Sequence, residues 1–117
     1  MNTLENELLG QYKLTLISEA LKVARDIDPN LSIASFIHLI HVIKAGEEGI
    51  TPSELAISTG NELSTVSRQL TILKDTGRGN KGGLGLIKLA EKTTDGRCKP
   101  VALADKGEKL KRLLMAL

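Results

Sequence analysis

The sequence predicts a mainly α fold carrying one small β-hairpin, on three observations. Apolar residues recur at three- and four-residue spacing over most of the first 75 positions, the period of helices. Two β-prone runs, residues 86–91 and 99–104, flank a turn centred on Asp95-Gly96. Leu110, Leu113 and Leu114 then mark a closing helix over residues 105–117. A chain of 117 residues fits one domain with a modest core.

In chain order, residues 3–27 read as a long helix. Leu4, Leu8, Leu9, Tyr12, Leu16, Ile17, Ala20, Leu21, Ala24 and Ile27 make its apolar stripe wider than a small domain can cover. Asp28-Pro29-Asn30 ends it, because proline cannot continue a helix. Ser32 caps a second helix over residues 33–45, which Gly46 stops. Ile33, Phe36, Ile37, Ile40 and Ile43 are its expected apolar face. His38 and His41 sit three apart there, a spacing that suits two metal ligands. With no cysteine or third histidine nearby, partly buried helix histidines and no metal are the expectation.

Glu47-Glu48-Gly49-Ile50 reads as a turn or very short strand. Thr51-Pro52-Ser53-Glu54 is a capping box with proline at the first helical position. It opens a short helix over residues 52–58, with Leu55, Ala56 and Ile57 inward or along it. Thr59-Gly60-Asn61 turns the chain into a further helix over residues 62–75. There Val66, Leu70 and Leu73 form one stripe; Ser64, Ser67, Arg68 and Thr71 fall opposite, with Thr65 on the flank. Short hydroxyl side chains let a helix approach a phosphate backbone, and arginine forks onto guanine or bridges phosphates. A capped helix, a glycine-bearing turn and a polar-faced helix make a helix-turn-helix.

Five glycines fall within residues 76–85, and no helix can form there. The stretch lacks the Gly-Lys-Ser/Thr of a phosphate loop, since Gly82 follows Lys81. Arg78 and Lys81 are its candidate phosphate contacts. The hairpin tip carries Lys92 and Arg97, with Lys88 and Lys99 beside it. A basic hairpin after such a helix is the wing of a winged helix-turn-helix, and its tip suits the minor groove.

Charge agrees with this order. Residues 1–60 hold four basic and eight acidic groups, residues 61–99 eight basic and four acidic. The net charge of +2 thus hides a basic second half suited to a polyanion. Phe36 and Tyr12 are the only aromatics, which argues against single-strand or RNA binding by base stacking. No apolar run suits a membrane span, and the N-terminus lacks the pattern of a signal peptide. The lone Cys98 excludes an internal disulfide and suits the cytoplasm; it is read as structural or incidental and not as a redox sensor. No catalytic arrangement, acidic metal cluster or cofactor motif stands out, so an enzyme is not expected.

Four pieces in this order resemble the MarR family (multiple-antibiotic-resistance regulators). They are Ser64-Thr65-Val66-Ser67-Arg68, Gly85-Leu86-Ile87-Lys88, Asp95-Gly96-Arg97 and Val101-Ala102-Leu103-Ala104-Asp105-Lys106-Gly107. The resemblance spans about residues 32–110. It implies a transcription regulator, expected to be a repressor, that binds double-stranded DNA as a homodimer. It implies that Ser64, Thr65, Ser67 and Arg68 meet the major groove or its phosphates, and that Arg97, steered by Asp95, enters the minor groove. A small-molecule effector is a further possible partner. Two departures stand out: Gly77 and Gly85 both match the single glycine joining helix to wing, so about eight residues are inserted, and the long C-terminal dimerisation helix is absent. Residues 1–30, whose apolar stripe exceeds what a small domain can cover, are the expected dimerisation helix, and residues 31–117 a winged helix with a glycine-rich insertion at 77–85. The alternative is a winged helix used for protein assembly without operator binding; retention of Arg68 and Arg97 favours DNA.

Overall fold

The computed structural model describes residues 2–74, 83–90 and 99–117. Its elements are α1 (Thr3–Ile27), α2 (Ile33–Ala45), α3 (Pro52–Thr59), α4 (Leu63–Leu73), β1 (Ile87–Leu89), β2 (Val101–Leu103) and α5 (Asp105–Met115). The caps follow the sequence. Asn2 accepts from the Glu5 N–H, Ser32 from Ser35, and Thr51 closes the capping box with Glu54. The expected strands are present but shorter, and α4 ends at Leu73 rather than at residue 75.

The core lies where α2, α3, α4, the hairpin and α5 meet. Leu39, Val42, Leu55, Val66, Leu73, Leu86, Ile87 and Leu110 are all fully buried in it. The strands pair antiparallel, Ile87 with Leu103 and Leu89 with Val101. Ile50 adds a bridge on the other side of β2, exchanging backbone hydrogen bonds of 3.0 and 2.9 Å with Val101. The Glu47–Ile50 segment therefore acts as a one-residue third strand.

Two expected faces are turned differently. In α2 the buried side is Ser35, Phe36, His38, Leu39 and Val42, while Ile33, Ile37 and Ile40 are exposed, Ile33 to 69%. In α3 only Leu55 is buried and Ile57 is 84% exposed. The reason in α2 is that both sides of the helix are apolar, and two polar residues with partners on α4 and the turn before it share the inward side. In α3, eight residues give a single inward turn, and Leu55 occupies it.

The long first helix leaves the body. The molecule measures 53 × 27 × 24 Å. Val23, Ala24 and Ile27, near the C-terminal end of α1, join the core, and α1 packs against α5. Leu4, Leu8, Leu9, Tyr12, Leu14 and Ile17 are exposed.

One polar node ties three elements. Lys106, in the first turn of α5, donates to Asp28 Oδ2 at 2.7 Å and to the Leu84 carbonyl at 2.9 Å. Asp28 closes α1 as its C-cap, and its Oδ1 accepts from the Asn30 N–H at 2.9 Å. The Lys106 ammonium hydrogen bond holds the Asp28 carboxyl below the usual carboxylate range, against the opposing effect of burial. Beside the node, Gly107 lets α5 approach β1 closely: a Cβ there would lie 2.2 Å from the Leu86 carbonyl oxygen. Asp28→Asn should cost about 1–2 kcal/mol, the lower part of the range for a charged hydrogen bond because Lys106 is partly exposed. The carboxyl's pKa is depressed on folding, so its contribution is present above the unfolded value and lost as pH falls through the folded one. Denaturant unfolding should therefore show the gap between wild type and Asp28→Asn closing below about pH 4. A gap independent of pH would refute the assignment.

Candidate nucleic-acid interface

The candidate site is the helix pair α3–α4 and its turn. In the α3 capping box, Glu54 N–H donates to Thr51 Oγ1 at 3.2 Å and Thr51 N–H to Glu54 Oε1 at 3.0 Å. The bonds from Thr51 hold the exposed Glu54 carboxylate below its usual range. Gly60 ends α3 in the left-handed conformation, φ 73°, where a side chain is disfavoured. The Gly60 and Asn61 N–H groups both return to the Ala56 carbonyl, which sets the tight turn into α4.

α4 then divides along its length. Val66, Gln69, Leu70 and Leu73 are buried. Ser64, Thr65, Ser67, Arg68 and Thr71 are all exposed, as the periodicity predicts. No carboxylate lies within α4, and Arg68 makes no ion pair with any described residue. Thr71 has already committed its proton, since Oγ1 donates to the Ser67 carbonyl at 2.9 Å. Its hydroxyl is thus placed to accept rather than to donate. Lys88 and Lys99 are exposed on the hairpin arms. Arg78, Lys81, Lys92, Asp95, Arg97 and Cys98 lie outside the described residues.

Sequence reasoning missed the residues that hold α4 in place. Ser35 Oγ donates to Gln69 Oε1 at 2.6 Å, and Ser32 Oγ donates to Ser35 Oγ at 3.1 Å. His38 is 1% exposed. Its Nδ1 is 2.8 Å from the Ala34 carbonyl, which can only accept, so Nδ1 carries the proton. In the neutral ring Nε2 then accepts from the Asn61 side-chain amide at 3.3 Å. Two polar links, one to the turn and one to mid-α4, thus leave one face of α2. Gln69 carried a weak signal: it lies beside Leu70, three residues after Val66, at a core position of the stripe.

His41 is bonded elsewhere, through Nδ1 to Ser58 Oγ in α3. Burial first, then the charge of Lys44, lower its pKa. The two histidines therefore serve different neighbours. No group of three or more metal-ligating side chains occurs among the described residues.

At the far end of α4 the backbone closes on itself. The N–H groups of Leu84, Gly85 and Leu86 donate to the carbonyls of Ile72, Lys74 and Leu73 at 2.9, 3.1 and 2.9 Å. Gly85, with φ 72°, occupies the junction between helix and wing. The chain departs from α4 at Lys74 and by Leu84 has returned to it. These three bonds join the described residues on either side of positions 75–82 and set the helix–wing junction.

No family model matches the sequence, and no curated protein matches it. Solved structures do. The transcriptional regulator Tm0710 from Thermotoga maritima is 21% identical, with 98% of this chain and 72% of that chain covered at a TM-score of 0.73. MepR of S. aureus, solved in complex with DNA, is 19% identical over 94% of this chain and 81% of its own, at 0.67. RV1404 from Mycobacterium tuberculosis is 22% identical over 95% and 69%, at 0.71. The fold is a MarR-like winged helix-turn-helix. No described helix is long and apolar enough to cross a membrane.

In this MarR-like fold the Ser35–Gln69 link should be measurable as a coupling. Ser35→Ala leaves a buried Gln69 oxygen without its donor and should cost about 1–3 kcal/mol. Ser35→Ala with Gln69→Leu removes both partners and should cost less than the two single changes added together. Denaturant midpoints for the three variants check this; additive costs would mean that the pair is uncoupled.

Proposed function

We propose that this chain is a sequence-specific, double-stranded DNA-binding transcription regulator, acting as a homodimer and without catalysis. α4 enters the major groove, and the basic hairpin tip meets the minor groove. The observation that carries the reading is the outer face of α4: four hydroxyl side chains and one arginine, all exposed, with no carboxylate among them. An ordinary solvated helix face mixes glutamate with lysine; this one is shaped for close approach to phosphate and base edges. The MepR complex with DNA and the regulator Tm0710 support the reading from the same fold. Repression follows if the bound dimer covers promoter DNA.

Arg68→Ala and Arg97→Ala should each weaken binding to a selected duplex and leave the unfolding midpoint unchanged. Loss of a bidentate base contact at Arg68 should cost about 1–3 kcal/mol and relax specificity at one position. Loss of a phosphate contact would instead reduce the salt slope by about one. A gel shift across a salt series separates the two. Wild-type affinity in both variants would refute the placement of α4 and the wing.

The dimer is assigned chiefly to α1, with α5 beside it. Leu4, Leu8 and Tyr12 are 59–63% exposed on the part of α1 that extends past the core. Contiguous apolar surface of this kind marks an interface. Fully burying such side chains stabilises by about 1.5–3 kcal/mol each. Two recognition helices about 34 Å apart then read the two halves of a palindrome. Leu8→Glu with Tyr12→Glu should convert the dimer to monomer in light scattering, with the helical circular dichroism of the body retained. A wild-type protein that is monomeric at high concentration would overturn the assignment.

A further inference from the structure

Leu63 is an exposed apolar side chain outside the buried core. It is the first residue of α4, 51% exposed, and it takes no part in the buried core or in the apolar residues packed against it. It precedes Ser67 by one helical turn and adjoins Ser64, so it borders the polar outer face. Helical side chains lean toward the N-terminus of their helix, and in the groove-docking geometry that end meets the base edges. The residue before it, Glu62, gives α4 no side-chain cap. A serine, aspartate or glutamate would fit the exposed first turn of a helix better than leucine does. Ile57 is more exposed, but it lies on α3, the helix that crosses the backbone in such docking rather than entering the groove.

Only one base presents an apolar group in the major groove, and that group is the 5-methyl of thymine. We propose that Leu63 is a specificity-determining residue, packing against the 5-methyl group of one thymine in each half-site. Hydroxyls and Arg68 supply polar contacts on the same face; Leu63 adds the single apolar contact and selects thymine over cytosine at that step. The inference rests on the DNA-binding reading above.

The test replaces each thymine of a selected duplex, one at a time, by deoxyuridine, which removes the methyl group and nothing else. The full-length protein and Leu63→Ala are titrated against every such duplex. One thymine per half-site should emerge at which loss of the methyl weakens wild-type binding about three- to tenfold. Leu63→Ala should bind the thymine duplex more weakly by a similar factor and be indifferent to deoxyuridine there. Its unfolding curve should match the wild type. Wild-type indifference at every thymine, or equal methyl sensitivity in both proteins, overturns the proposal while leaving DNA binding intact. A destabilised Leu63→Ala assigns the leucine to folding and overturns it too. Failure to select any duplex overturns the DNA-binding reading itself, and this inference with it.

Discussion

One face of α2 is the surface from which the rest of the winged helix is positioned. Phe36, Leu39 and Val42 bury there, and α3, α4 and β2 all pack on this helix. Apolar packing by itself is tolerant of rotation, because leucine and valine have no preferred partner atoms. Ser35 and His38 remove that tolerance. Each is almost fully buried and each reaches one polar atom on the helix-turn-helix, at Gln69 and Asn61. A buried polar group that misses its partner costs far more than a hydrogen bond gains. The two links therefore select one rotation of α4 out of several that would satisfy the core. That rotation presents Ser64, Ser67 and Arg68 outward.

The opposite end of α4 is fixed by backbone instead of side chains. Its last carbonyls would be unsatisfied where the helix stops, and the returning strand supplies their donors from Leu84, Gly85 and Leu86. The same Leu84 accepts from Lys106, and Lys106 holds Asp28. End of α1, start of the wing and start of α5 are thus coupled through a single ammonium group. Gly107 completes the arrangement by letting α5 come within contact of Leu86. The described residues on either side of positions 75–82 are thus held by bonds of their own.

What the sequence made legible follows from where local chemistry decides. The helix starts at Ser32 and Thr51, the stop at Gly46 and the turn at Gly60 depend on a few adjacent residues. The outer face of α4 was legible because a polar face opposite Val66, Leu70 and Leu73 has only one place to go. The inward face of α2 was not. Isoleucines at 33, 37 and 40 offer a stripe as apolar as the one that is buried, and the true face contains a serine and a histidine whose partners lie 34 and 23 residues away. Local periodicity cannot register such pairs. Ile57 misled for a related reason: in a helix of eight residues one turn does not define a face.

Electrostatics adds a further restriction on how a duplex would sit. Four carboxylates, two from each half of the chain, gather in one place. Glu47 and Glu48, from the turn after α2, line a groove with Asp105 and Glu108 of α5; Lys88 and Lys111 border it. No residue of α4 lines this groove. A polyanion is repelled where four carboxylates gather and attracted where arginine stands without them. If α4 is the DNA-reading helix proposed above, this contrast would favour approach of a duplex to α4 over approach to the groove beside β2 and α5. It also explains why a net charge of only +2 is compatible with binding a polyanion: the field at the contact face, and not the sum over the chain, sets the encounter.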